Sequence, residues 1–188
     1  GEKKTVAVEA RSNQIRLDDL SECFPAMRKM RPTGLIRLNI RGNGNTDDPL
    51  ALNWRGDISL NDTSFVAAEH IKPVRSLSGM IRLKGNSLEM PHFSAAIGSN
   101  VITGKAELVN FRNPSINVDF NCPELDVDDI GLIKPVPEKK LTKIKGSLSW
   151  HSNTLHIKTL SGQVDNSTVH LKGTVSDLTK PVMVLRAT

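Results

Sequence analysis

The sequence predicts a mostly β protein: a repeating antiparallel β-meander curled into an open groove, with one or two short helices. Three observations carry this expectation. One stretch occurs twice, VAVEARSNQIRLDDL from Val6 to Leu20 and INVDFNCPELDVDDI from Ile116 to Ile130, and the copies align without a gap. Such self-similarity marks a repeat architecture. Apolar and polar residues alternate through most of the rest, the period of strands with one wet face. Finally, few segments have helical spacing, so little is present to cover the apolar side.

Taken in order, Thr5–Ala10 reads as a strand. Leu20, Phe24, Met27 and Met30 then fall at helical spacing, with Asp18 as N-cap, acids in the first turn and Arg28, Lys29 and Arg31 in the last. Pro25 keeps that helix short or broken. The equivalent later segment, Asp128 to Lys143, holds Pro135 and Pro137 and is expected to be a loop with at most one helical turn. Gly34 to Ile40 alternates, and so do Leu50, Leu52, Trp54, Ile58 and Leu60, with Gly56 as a bulge or bend. Between them, Gly42 to Pro49 has the composition of a turn. Its Gly-Asn-Gly is not a phosphate loop, because no helix follows and no Lys-Ser/Thr ends it.

Two further units correspond to each other. Gly79, Ile81 and Leu83 match Gly146, Leu148 and Trp150; Asn86, Leu88 and Met90 match Asn153, Leu155 and Ile157; Phe93 and Ile97 match Leu160 and Val164. Polar turns at 98–100 and 165–167 follow, then strands in which Gly104 and Gly173 are equivalent. The chain closes on a partial third copy, with Pro181, Met183, Leu185 and Ala187 matching Pro114, Ile116, Val118 and Phe120. It begins and ends inside the repeated motif, so 1–188 reads as one fragment of a longer periodic protein. The sub-repeats run about 1–33 (strand plus short helix), 34–75, 76–127 and 128–188.

Composition narrows the function. Hydrophobic residues make up 38% and charged residues 24% of the chain, which describes a folded protein and not a disordered one. The net charge of +5 is scattered, without the basic stripe and interleaved aromatics that nucleic-acid binding requires; weak attraction to anionic headgroups is compatible with it. No apolar run is long enough to span a membrane as a helix. Cys23 and Cys122 are too few for a disulfide framework and lack zinc spacing, and pairing between them is left open. His70, His92, His151, His156 and His170 form no metal-ligand motif, so neither metal nor cofactor is expected. His156 and His170 belong on a wet face. The recurring Asp18-Asp19 and Asp128-Asp129 are read as helix caps, and Asp47-Asp48 as turn composition. No nucleophile motif points to catalysis. Asn61-Asp-Thr63 and Asn166-Ser-Thr168 fit the glycosylation sequon, which has meaning only in a eukaryotic secretory protein.

The central question is what covers the apolar face. Either the sheet closes on itself as a sandwich, or it forms a trough whose lining meets something else. The lining candidates are Ile36, Leu38, Leu52, Trp54, Ile58, Ile81, Leu83, Leu88, Met90, Ile116, Val118, Phe120, Leu148, Trp150, Leu155 and Ile157.

The chain resembles the AsmA-like family of bacterial envelope proteins, which includes TamB- and YhdP-type members. The likeness rests on the L-D-x-D-D-[LI]…P…G-x-[IL]-x-[LF] pattern at Leu17–Gly34 and Val127–Leu148, and on RGDISL at Arg55–Leu60. It rests also on GSNVITGKAEL…NPSINV at Gly98–Val118 and on the strand ladder at Leu88–Ala95. It covers nearly the whole chain, through strand-and-turn patterns and not catalytic signatures. The resemblance implies a groove-shaped repeating β fold in the periplasm, in a parent tethered to the inner membrane. It further implies an apolar trough holding phospholipid acyl chains for lipid transport or outer-membrane biogenesis, with envelope proteins as further partners and no enzymatic step. The rival expectation is a closed β-sandwich or solenoid acting as a structural or interaction module.

Overall fold

The computed structural model describes residues 5–23, 25–45, 52–66, 72–126, 141–177 and 182–188. The strands are β1 (Thr5–Arg11), β2 (Ile15–Arg16), β3 (Thr33–Asn45), β4 (Asn53–Phe65), β5 (Val74–Gly85), β6 (Ser87–Ile97), β7 (Asn100–Val109), β8 (Ser115–Leu125), β9 (Leu141–His151), β10 (Thr154–Val164), β11 (Ser167–Ser176) and β12 (Val182–Ala187). Two short helices, α1 (Leu17–Cys23) and α2 (Pro25–Arg28), lie between β2 and β3. All strands belong to one antiparallel sheet in the order β1-β3-β4-β5-β6-β7-β8-β9-β10-β11-β12, with β2 continuing β1 alongside β3. The sheet is an open meander: β1 and β12 do not meet, and the substantial contacts of each strand are with its neighbours in the sheet. No second described sheet packs on it, so the sandwich alternative is not the architecture observed.

Tight hairpins follow from the local sequence. Ser152 and Asn153 both have positive φ, 46° and 61°, as the two-residue type I′ turn between β9 and β10 requires. The β6–β7 and β10–β11 turns begin with Gly98 (φ 61°) and Asp165 (φ 53°). At the longer β7–β8 connection, Asn110 accepts bonds from the backbone N–H groups of Arg112 (3.2 Å) and Asn113 (3.4 Å), an Asx turn.

Several local expectations are corrected. Gly42 to Asn45 belong to β3 and not to a turn, because this segment pairs with β1 on one side and β4 on the other. The remainder of the expected turn, with Asp47 and Asp48, lies outside the described residues. Gly56 is no bulge: it stays in register with Ile40. Its φ of 126° lets β3 approach so closely that a Cβ there would strike the Asn39 carbonyl oxygen and sit 2.8 Å from the Ile40 Cα. Asp18 does not precede α1, which starts one residue earlier at Leu17. Its carboxylate instead pairs with Arg16, whose hydrogen bond holds the Asp18 pKa below the usual carboxylate range. The 128–140 segment, including Asp128-Asp129, and His70 lie outside the described residues.

Candidate functional site

Directly opposed residues of an antiparallel pair share a face, so the register assigns every strand residue to one side. Starting from Val118, its partners are Ala106 on β7 and Leu148 on β9, and Leu148 in turn faces Ile157 on β10. In the other half, Ile58 lies between Leu38 and Ile81, and Leu60 between Ile36 and Gly79. Leu83 faces Leu88, and Leu88 faces Leu108. Followed strand by strand, the sheet has one nearly uninterrupted apolar face from Val8 on β1 to Leu185 on β12. The opposite face carries Arg37, Arg55, Arg82, Lys105, Asp119, Lys145, His156 and His170, with Met80, Val101, Val109, Val182 and Val184 as its exposed apolar exceptions.

Fifteen of the sixteen residues expected to line the trough fall on strands of this apolar face. Leu52 does not: it sits at the bend before β4 and is buried (6% exposed), one of a few buried apolar residues dispersed along the sheet with Ile36, Met90, Ala95, Cys122 and Ile144. Ile36 and Met90 are thus already covered by their own neighbours, whereas Leu38, Trp54, Ile58, Ile81, Leu83, Leu88, Ile116, Val118, Phe120, Leu148, Trp150, Leu155 and Ile157 are half-buried. Sequence reasoning omitted Ile40, Ile102, Leu108, Leu160 and Val175, which share the face. Extending the alternation strand by strand would have found them.

The floor is smoothed by rings laid over glycines. Trp54 lies opposite Gly42, and a Cβ there would be 2.8 Å from the indole. Phe120 lies opposite Gly146, where a Cβ would be within 2.5 Å of the ring. Phe93 lies opposite Gly104, where a Cβ would be 3.0 Å from the ring. Each ring occupies the space a neighbouring side chain would fill, so a bulky residue projects little above the sheet.

Exposure sets this face apart from a core. The chain exposes 12736 Å², whereas a folded monomer of its 20.6 kDa mass is expected to expose about 8,900 Å². A single-layer sheet contributes to that excess. α1 packs against β2 and β3 at one corner, and among the described elements no helix makes substantial contact with the remaining strands.

The polar face is organised by cross-strand charge pairs. Lys105 meets Asp119 at 3.1 Å, and Glu89 meets Lys84 at 2.7 Å and Arg82 at 3.8 Å. The Ser147 hydroxyl and then Lys105 hold the Asp119 carboxyl below its usual range. A depression of about 510 Å³ lies here, lined by Thr103, Lys105, Asp119, Lys145, Ser147 and Ser161 among others. It is shallow and its Lys105 and Asp119 are already paired with each other, so we place the candidate site on the broad apolar face and not in this dent. Among the described residues no cluster of three metal-ligating side chains occurs, and no helix is long and apolar enough to cross a membrane. Cys122 carries a free, buried thiol, raised in pKa by desolvation.

Comparison with family models, with curated proteins and with solved structures finds no match to this chain.

Proposed function

We propose that this chain is a non-enzymatic segment of an AsmA-like periplasmic protein that holds phospholipid acyl chains along its apolar sheet face, serving lipid transport or outer-membrane biogenesis. One observation carries the reading: an apolar face continuous across the meander is half-exposed, and among the described elements the helix packed on the sheet lies at one corner. Exposed apolar surfaces of this extent mark a ligand, membrane or partner. Hydrocarbon is the occupant that suits a long, featureless floor. It asks for no directional contacts, and each buried methylene contributes about 0.8 kcal/mol. Headgroups remain in water at the open side. The rings seated on glycines support the same reading, because a level floor lets a flexible chain lie down without meeting knobs.

The chemistry asked of the protein is binding and exclusion of water from one side of the acyl chain. No proton is moved, so the reading needs no titratable group near the floor, and the cross-strand charge pairs of Lys105 with Asp119 and of Glu89 with Lys84 and Arg82 lie on the other face. The test is to purify the chain from bacteria, extract it and identify bound lipid by native mass spectrometry. The wild-type chain should carry phospholipid, and a variant with Ile58→Asp, Val118→Asp and Leu148→Asp should lose it. The polar-face variant His156→Asp should retain it. A wild-type chain that never carries lipid, or one whose lipid load ignores the floor substitutions, refutes the reading.

A further inference from the structure

The polar face holds a group of cations that acyl-chain binding leaves unused. The register sets Arg41 on β3 directly opposite Arg55 on β4, and Arg55 directly opposite Lys84 on β5. Three cations thus stand side by side, although like charges directly opposite each other destabilise a sheet. Both arginines belong to interior strands, with β1 on one side and β5 on the other.

Neighbouring cations on this face are neutralised within the sheet. Arg11 meets Glu9 at 2.6 Å, and Glu89 meets Lys84 at 2.7 Å and Arg82 at 3.8 Å. Arg41 and Arg55 are exposed and make no such pair with an acid among the described residues. The acids nearest in register are Glu9, which Arg11 holds, and Asp57, one row over and opposite Arg82. Across β1 to β6, these two cross-strand rows hold Arg11, Arg41, Arg55, Arg82 and Lys84 against Glu9, Asp57 and Glu89, an excess of two positive charges. The arginines border a depression of about 580 Å³ that Asn43 and Asn53 also line, and these two amides stand opposite each other.

We propose that Arg41 and Arg55 form a binding site for a phosphate monoester. Opposed strand residues stand about 5 Å apart at Cα, so both guanidinium forks reach one tetrahedral group. A carboxylate has two oxygens and is satisfied by one fork. A phosphate monoester offers three terminal oxygens to two forks and carries about two negative charges near pH 7, which matches the local excess. A diester offers two free oxygens and a single charge. Asn43 and Asn53 add amide donors at the side of the pair. The site lies on the face away from the apolar floor, so this inference is independent of the lipid reading.

The test uses the full chain in phosphate-free buffer at low salt. Calorimetric titration with methyl phosphate probes a free monoester, and flotation with phosphatidylcholine vesicles containing phosphatidic acid probes a lipid one. Saturable binding of at least one probe is expected, and the probe that binds names the source. Arg41→Gln and Arg55→Gln should each weaken it about tenfold. Dimethyl phosphate should bind more weakly than methyl phosphate, and methyl phosphate should weaken as pH falls below about 6, where it loses its second charge. Lys172 and Arg186 are another opposed cation pair on the same face, so Lys172→Gln controls for charge alone and should leave binding unchanged. Three results overturn the proposal. One is that neither probe binds saturably. Another is that Lys172→Gln weakens binding as much as the arginine variants do, which would make net charge the cause. The third is binding that appears only with Asp47→Asn and Asp48→Asn, which would give the arginines to the chain's own acids.

Discussion

Lengthening a bound acyl chain by two methylenes should tighten its binding about fourfold. A fully enclosed methylene is worth about 0.8 kcal/mol. The floor covers an acyl chain from one side, because the strands form a single layer and their apolar side chains are only half-buried. Each methylene then contributes about 0.4 kcal/mol and a pair about 0.8 kcal/mol, which is close to fourfold in affinity. A closed tunnel would double the energy and give about fifteenfold. The increments should also persist along the series. Ten strand spacings of about 4.8 Å make a floor about 48 Å long. An acyl chain half as deep as the roughly 30 Å bilayer core crosses only about three of those spacings. The assay is displacement of a fluorescent fatty acid by saturated fatty acids of about 10 to 16 carbons, below their micelle thresholds. A step near fifteenfold would mean that the sheet closes around its ligand. No dependence on length would mean that the apolar face is not the binding surface. Either result refutes the open-trough reasoning.

Two further outcomes follow from the same geometry. Gly56→Ala should cost about 3 kcal/mol in denaturant unfolding, since its Cβ meets the Asn39 carbonyl oxygen at a φ of 126°. Gly85→Ala should cost only about 1 kcal/mol, since its φ of 68° is left-handed and its Cβ finds only Asn53 Oδ1 at 3.8 Å; equal losses would contradict the close strand approach. The lowered pKa of Asp119 stabilises the fold above the ordinary carboxylate value near about 4 and is lost as pH falls through the lower folded value. Ser147→Ala should raise that pKa more than Lys105→Gln does, as followed by NMR titration, because the hydroxyl bond is the larger cause. The reverse order would show that the lysine dominates.

Alternation made the two faces legible before any coordinates, because a one-residue slip would carry a whole strand's apolar set into water. What it could not supply was register. Matching Pro114 with Pro181 pairs Phe120 with Ala187 in the sequence. The structure instead puts Leu185 where Phe120 stands, because the close approaches of Gly104 and Gly173 set the pairing and the turn prolines do not. The same gap explains Gly42. Glycine and asparagine in a row read as a turn, yet this glycine is needed inside β3 to leave room for the Trp54 ring. Leu52 has the right parity for the trough but precedes the strand, and only the coordinates show it buried. Glycine has two meanings in a strand, freedom to bend and absence of a side chain, and a single sequence does not separate them.

That second meaning joins the fold to the proposed function. A sheet that stands without a second described layer gains little from conventional core burial, and only a few of the described residues are fully buried. Its stability has to come from neighbour-to-neighbour pairing: ladders, tight hairpins, charge pairs on the wet side and rings seated on glycines on the dry side. Such contacts are satisfied within two or three strands, so they do not require the apolar face to close. Filling Gly146 or Gly42 with larger residues would lift Phe120 and Trp54 off the sheet and roughen the floor. The arrangement that steadies each strand pair is therefore the one that keeps the floor level, and a level, half-covered apolar floor is most favourable when hydrocarbon lies on it.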